Sequence, residues 1–233
     1  MAKKNTKANF TPSSSQIVWG VLYLVFQYCA LGEVLKMVYR LLGVSPSAPW
    51  HNYIYFSLNF LVCLIIFGKY LGNHLSSLGK NWWSCLKAMI LGYVFYWVTN
   101  WGVSWCLARL IPGFANINDG SIQALLRENF WVMAVGLVVL VPITEETFYR
   151  GLIFGGLYNR SKTAAYVVSC LVFSAIHVLG YIGTASPWVL LGCFVQYLPA
   201  GLCLAWSFQE SGSLFVPIAI HTVVNVLAIL SMR

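Results

Sequence analysis

Long apolar stretches dominate this sequence of 233 residues and set the first limit on its fold. Hydrophobic residues make up 59% of the chain, whereas charged residues make up only 9%. This composition is typical of a protein embedded in a bilayer, where helices satisfy every backbone polar group internally. At ~20 residues per span, the chain has room for about seven transmembrane helices. The predicted fold class is therefore all-α, a polytopic membrane helix bundle with about six to eight spans.

The apolar runs predict the spans and the regions between them. The predicted spans cover residues 17–42, 52–71, 84–111, 130–158, 163–179, 187–208 and 213–232. A short amphipathic segment over 121–129 precedes the fourth span. The chain then divides into a disordered cytoplasmic tail over 1–15, three transmembrane helices over 16–120, and a second helix bundle over 121–233 that carries the motifs described below.

The formal net charge of +8 is explained by the ends of the apolar runs, where most Lys and Arg residues lie. Basic residues in such positions set membrane topology and contact anionic lipid headgroups. They do not indicate a nucleic-acid partner. Their uneven distribution places the N-terminus in the cytoplasm. We therefore expect a multi-pass protein of the cell membrane, with the lipid bilayer as one partner.

Two adjacent carboxylates, Glu145 and Glu146, lie within the fourth apolar run. A charge at membrane depth is costly, so an ionisable residue there indicates function. Arg150 follows Glu146 by four residues and shares its helix face, which predicts a supporting ion pair. Glu145 lies ~100° away around the helix and is left free for chemistry. The alternative is a buried ion pair that only holds two helices together.

Two histidines and an asparagine lie in other apolar runs. His177 is in the fifth run and His221 is in the seventh, with Asn225 one helical turn after His221. A single buried histidine is usually a core residue with a satisfied hydrogen bond. Polar side chains on three spans, however, can meet inside a helix bundle. We therefore expect these residues to share a site with the acidic pair.

Such a group can hydrolyse a peptide bond. Glu145 would act as the general base on water, and His177 would share or orient that water. His221 and Asn225 would donate hydrogen bonds to the oxyanion at the scissile carbonyl. Glu145, His177 and His221 are also a possible ligand set for a divalent metal such as zinc. The sequence has no H-E-x-x-H motif, so metal binding stays open.

The three motifs together resemble a known family. They are Glu145-Glu146-x-x-x-Arg150, Phe173-x-x-x-His177 and His221-x-x-x-Asn225. In this order, on successive spans, they are similar to the CAAX protease and bacteriocin-processing (CPBP, or Abi) family. Its members are intramembrane glutamate-dependent endopeptidases, often described as metalloproteases. The resemblance covers about residues 125–231, so the catalytic bundle would be 121–233.

The resemblance implies roles for the motif residues and a class of substrate. It implies that Glu145 is the catalytic base with His177 and that His221 and Asn225 form the oxyanion side. It assigns Glu146 and Arg150 to support. The substrate would be a membrane-associated peptide or protein. Bacterial members of the family are linked to peptide maturation and bacteriocin immunity, and the compact chain favours that branch.

Three functions remain open at this point. The first is an intramembrane endopeptidase, and the second is a non-catalytic bacteriocin self-immunity protein of the same fold. The third is an ion or proton carrier that uses the buried charges as relay sites. Carriers typically show repeats or paired broken helices, which the sequence lacks. An intact site need not be used, so the sequence does not separate the first two functions.

Overall fold

The computed structural model describes residues 11–233, which form helices and no strand. The helices, numbered in chain order, are α1 Ser14–Leu42, α2 Ala48–Lys80, α3 Trp82–Leu110, α4 Ile117–Glu128, α5 Phe130–Tyr158, α6 Lys162–Leu179, α7 Pro187–Ser211 and α8 Phe215–Ser231. The prediction of an all-α membrane bundle is confirmed. The short helix α4 lies where the amphipathic segment was expected.

Each of the seven predicted spans corresponds to one helix of the described chain. Five of these helices are long and apolar enough to cross a membrane: α1, α2, α5, α6 and α7. Helix α8 is apolar but has only 17 residues, or about 26 Å at 1.5 Å per residue. Helix α3 has 29 residues, and its Trp side chains are exposed on its surface. The chain is a multi-pass membrane protein.

The start of the described chain is attached to the end of α5. Asn159 Nδ2 donates to Thr11 Oγ1 at 2.7 Å, and Thr11 Oγ1 donates to the carbonyl of Gly155 at 3.3 Å. Residues 11–15 belong to the predicted disordered tail, yet they are ordered here, and α1 begins at Ser14. The rest of that predicted tail, residues 1–10, lies outside the described residues.

Three π-helical segments interrupt the long helices. One lies in α1, at Gln27–Leu31, and two lie in α5, at Gly136–Leu140 and Thr147–Phe154. A π-helical segment changes the register of the side chains that follow, and such segments are frequent at functional sites. The acidic pair ends the α-helical turn between the two segments of α5.

The first π-helical segment of α5 leaves two backbone carbonyls without helical donors. The N–H of Val141 bonds to the carbonyl of Gly136, one residue further back than in an α-helix. Pro142 follows and has no N–H to donate. The carbonyls of Leu137 and Val138 therefore need partners from outside α5, because buried carbonyls are almost always hydrogen-bonded.

The N-terminal helices pack directly against α5. The ring of Phe148 on α5 lies edge-on to Phe67 of α2 at 5.6 Å and stacks with Tyr23 of α1 at 5.8 Å. Phe67 and Phe148 are fully or almost fully buried in the largest hydrophobic cluster. Two of the three predicted N-terminal helices, α1 and α2, thus contribute to the surroundings of the acidic pair.

Candidate active site

A cavity of about 650 Å³ lies inside the bundle, and all eight helices contribute to its walls. The four residues predicted to be catalytic all line it: Glu145, His177, His221 and Asn225. They come from α5, α6 and α8. The structure therefore brings together the side chains that the sequence places on three separate spans.

Glu146 lies behind the cavity wall and is the centre of a buried ionic group. Arg150 Nη1 lies 3.0 Å from Glu146 Oε1, and both side chains are fully buried. This is the pair that the spacing of four residues predicts. Arg150 Nη2 also donates to the carbonyl of Ala200 on α7 at 3.2 Å, and its guanidinium lies 4.2 Å from the ring centre of Phe173 on α6. The pair therefore connects α5 to α6 and α7.

His221 joins this ionic group from α8. Its Nδ1 lies 2.9 Å from Glu146 Oε1, the same oxygen that accepts from Arg150. Because a carboxylate only accepts, Nδ1 carries the hydrogen of this bond. A neutral imidazole then has an acceptor at Nε2. The Nδ1 hydrogen of His221 is therefore committed to Glu146, and the oxyanion role of His221 stays a prediction.

His177 is held by a backbone carbonyl one helical turn earlier and by two aromatic rings. Its Nδ1 lies 2.8 Å from the carbonyl of Phe173, so Nδ1 donates and Nε2 is an acceptor in the neutral ring. The imidazole stacks on Tyr197, with ring centres 4.0 Å apart, and lies 4.7 Å from the ring centre of Phe173. An acceptor nitrogen in a fixed ring suits the predicted role of orienting water beside Glu145.

Asn225 and Thr222 supply the donors that α5 lacks. Asn225 Nδ2 donates to the carbonyl of Leu137 at 2.8 Å, and Thr222 Oγ1 donates to the carbonyl of Val138 at 3.2 Å. These two bonds join α8 to the interrupted part of α5. One amide hydrogen of Asn225 is thereby committed to the scaffold, and the other remains for the cavity.

Glu145 differs from its neighbour in bordering the cavity, where one of its carboxylate oxygens has no partner among the described residues. Its Oε2 is buried and makes no hydrogen bond within residues 11–233. Glu146 Oε2 also lacks one, but Glu146 is fully buried and does not line the cavity. A buried carboxylate oxygen at a cavity wall is costly unless it binds something there. Water or substrate can fill this role for Glu145.

The described residues do not form a ready metal site. No three His, Cys, Asp or Glu side chains within residues 11–233 are arranged to hold an ion. Glu145, His177 and His221 line the same cavity, but their side chains are not placed to hold one ion together. Metal binding by these three residues stays a prediction.

The N-terminal helices supply cavity residues that the sequence analysis treated only as general membrane segments. Tyr28 of α1 and Tyr55 and Asn59 of α2 line the cavity. The sequence signal for this contribution was the presence of two polar residues, Gln27 and Asn59, inside apolar runs. Their positions relative to Glu145 could not be read from local spacing, because they depend on how α1 and α2 pack.

Helix α4 closes another part of the cavity wall with polar groups. Asn118 Nδ2 donates to Tyr197 Oη at 2.9 Å. The hydroxyl of Tyr197 in turn donates to Asp119 Oδ1 at 3.4 Å. Burial raises the pKa of Asp119, although the hydrogen bond from Tyr197 opposes this effect. These contacts connect α4 to the ring that stacks on His177.

The comparisons with known proteins agree with the C-terminal motifs. Residues 127–227 match the family model described as type II CAAX prenyl endopeptidase Rce1-like. The chain is 25% identical over 167 residues to the UPF0177 protein YxdF of Lactococcus lactis subsp. lactis (strain IL1403), which covers 71% of this chain and 87% of that protein. No solved structure matches the chain. The resemblance to the CAAX-protease family is confirmed.

Proposed function

We propose that this CAAX-protease-like membrane protein is an intramembrane endopeptidase that cleaves a membrane-associated peptide or protein. The observation that carries the proposal is the unpartnered carboxylate oxygen of Glu145 in a cavity shared with His177 and His221. A basic group that lacks a partner, beside fixed imidazoles, is suited to activating a water molecule. The N-terminus lies in the cytoplasm, as the distribution of Lys and Arg suggests.

In the proposed reaction, Glu145 removes one proton from water. His177 Nε2 accepts a hydrogen bond from the other O–H of that water and so orients the oxygen. The water oxygen attacks the scissile carbonyl carbon, and a tetrahedral oxyanion forms. The remaining N–H of Asn225 is one donor to that oxyanion. Glu145 then returns its proton to the amide nitrogen as the C–N bond breaks. The products are a carboxylic acid and an amine, which become a carboxylate and an ammonium group when the proton passes from the acid to the amine.

The buried group around Glu146 supports this chemistry without taking part in it. Glu146 balances the charge of Arg150 and fixes the ring of His221 through Nδ1. Glu146 is fully buried and does not line the cavity. Its role is therefore to hold α5 and α8 in the arrangement that exposes Glu145.

The change Glu145→Gln tests the proposal, because it keeps the shape of the side chain and removes its basicity. We expect cleavage to fall by roughly 10²–10⁴-fold, the usual contribution of a general base, at unchanged membrane abundance. The protein would be purified whole and placed in vesicles with fluorescence-quenched hydrophobic peptides, with and without a C-terminal prenylated cysteine. Glu33→Gln is the matched control, since Glu33 is exposed and paired with Lys36 at 2.7 Å.

Two results would count against the proposal. One is cleavage by Glu145→Gln at the parental rate. The other is a parent that cleaves none of the peptides, while both parent and variant protect a host cell equally well from a bacteriocin. The second result would favour the non-catalytic immunity function.

A further inference from the structure

We propose that Tyr28 of α1 is a further catalytic residue, whose phenolic O–H donates a hydrogen bond to the oxyanion. This inference rests on the proposed peptidase function. Tyr28 lies outside the segment 127–227 that matches the family model. It lines the same cavity as Glu145 and comes from the opposite end of the sequence.

The donors that the sequence predicts for the oxyanion are partly committed to the scaffold. His221 uses its Nδ1 hydrogen on Glu146. Asn225 uses one amide hydrogen on the carbonyl of Leu137. No Lys or Arg side chain lines the cavity within the described part of the chain. A developing oxyanion needs fixed donors, so a further O–H at the cavity wall would add to those that α8 supplies.

The hydrogen bond between the hydroxyls of Tyr28 and Tyr149 identifies Tyr28 as a further donor to the oxyanion. The two phenolic oxygens are hydrogen-bonded to each other, and one hydrogen makes that bond. Tyr149 is 1% exposed, and Tyr28 is the partner of its hydroxyl among the described residues. Buried hydroxyls almost always have their hydrogen bonds satisfied, so Tyr149 donates and Tyr28 accepts. Tyr28 itself is 41% exposed, and the hydrogen of its hydroxyl group is then uncommitted.

The location of this hydrogen suits the reaction. Tyr28 lies in the π-helical segment Gln27–Leu31, which sets its register on α1. It lines the same cavity as Glu145. Tyr149 follows Glu145 by four residues and therefore shares its helix face. The phenol pair thus places an O–H at the cavity wall beside the base.

Tyr149 is itself held firmly, which fixes the position of Tyr28. The hydroxyl of Ser169 on α6 donates to the carbonyl of Tyr149 at 2.9 Å. The ring of Tyr149 lies edge-on to Phe173, with ring centres 5.5 Å apart. A donor that is already in place before the reaction stabilises developing charge without reorganising.

A hydrogen bond from Tyr28 would strengthen as the carbonyl oxygen becomes an oxyanion. It would therefore stabilise the transition state more than the bound substrate. Tyr28 keeps its proton throughout, and no bond to it forms or breaks. The expected signature of its loss is a lower kcat with KM nearly unchanged.

The test compares Tyr28→Phe with Tyr39→Phe in the vesicle assay, with rates expressed per folded protein. Tyr28→Phe should lower kcat by roughly 10²–10³-fold, the usual effect of losing one oxyanion donor. Tyr39→Phe should not change it. Tyr39 lies on the same helix, and its hydroxyl contacts His51 at 3.3 Å away from the cavity lining. Adding Tyr28→Phe to Glu145→Gln should cost little more than Glu145→Gln alone, whereas a merely structural effect would add.

The outcomes separate this inference from the proposed function. If Tyr28→Phe cleaves at the parental rate while Glu145→Gln is inactive, the peptidase function stands and the role of Tyr28 is wrong. If Tyr28→Phe raises KM and leaves kcat unchanged, Tyr28 binds substrate and is not an oxyanion donor. If Glu145→Gln keeps full activity, both proposals fail.

Discussion

Glu145 and Glu146 are neighbours in the sequence but have opposite surroundings. Glu146 is fully buried, and its Oε1 accepts from Arg150 and His221, whereas Glu145 borders the cavity, where its Oε2 has no partner among residues 11–233. The two side chains have the same chemistry, so only their surroundings separate them. The comparison teaches that a charge with compensating partners serves the scaffold, and a charge without them is available for reaction.

The largest expected effect on stability comes from breaking the group around Glu146. Arg150→Ala leaves a buried carboxylate without its cation, which should cost roughly 3–5 kcal/mol. The folded yield and the thermal stability in detergent should both fall, and activity with them. Lys36→Ala is the matched control, because its partner Glu33 is exposed and the pair is on the surface. Arg150→Ala with normal folding and full activity would contradict a structural role for the pair.

A smaller effect is expected where α8 supplies donors to α5. Thr222→Val and Asn225→Ala each leave one buried carbonyl without a donor, which should cost about 1–3 kcal/mol. Thermal unfolding should show a loss of stability in both variants. Only Asn225→Ala should also lower the cleavage rate per folded protein, because Asn225 alone lines the cavity. Equal rates in the two variants would remove Asn225 from the oxyanion role.

The smallest effect is expected at Asp119, at the α4 wall of the cavity. Burial raises its pKa above the ordinary value of 3.8, so the folded state favours the protonated form. The carboxylate therefore destabilises the fold as the pH rises from that value through the raised pKa. Asp119→Asn should be slightly more stable than the parent near neutral pH, and the difference should shrink towards about pH 4. Melting curves over this range would show it, and a difference that grows on acidification would contradict it.

The parts of the site that follow helical spacing could be predicted from the sequence. Glu146 and Arg150 are four residues apart, and a helix brings such residues together regardless of its tertiary surroundings. The convergence of Glu145, His177 and His221 on one cavity was also expected, because polar groups within membrane spans seek an interior site. The spans themselves followed from the length of the apolar runs.

The rest depended on tertiary contacts. The bond from Asn225 to the carbonyl of Leu137 exists because a π-helical segment and Pro142 remove the normal donors. Local spacing predicts the proline effect but not the change of helix type. The donation from His221 to Glu146 and the hydrogen bond between Tyr28 and Tyr149 depend on how α8 and α1 pack against α5. No pattern within one helix determines these contacts.

The most direct test of the central claim is product analysis in ¹⁸O-labelled water. We expect the parent protein in vesicles to cleave a hydrophobic probe peptide and to place one ¹⁸O atom in the new carboxylate, as mass spectrometry would detect. Glu145→Gln, at the same folded concentration, should give roughly 10²–10⁴-fold less labelled product. Equal labelled product from the parent and from Glu145→Gln would contradict the assignment of Glu145 as the base that activates water.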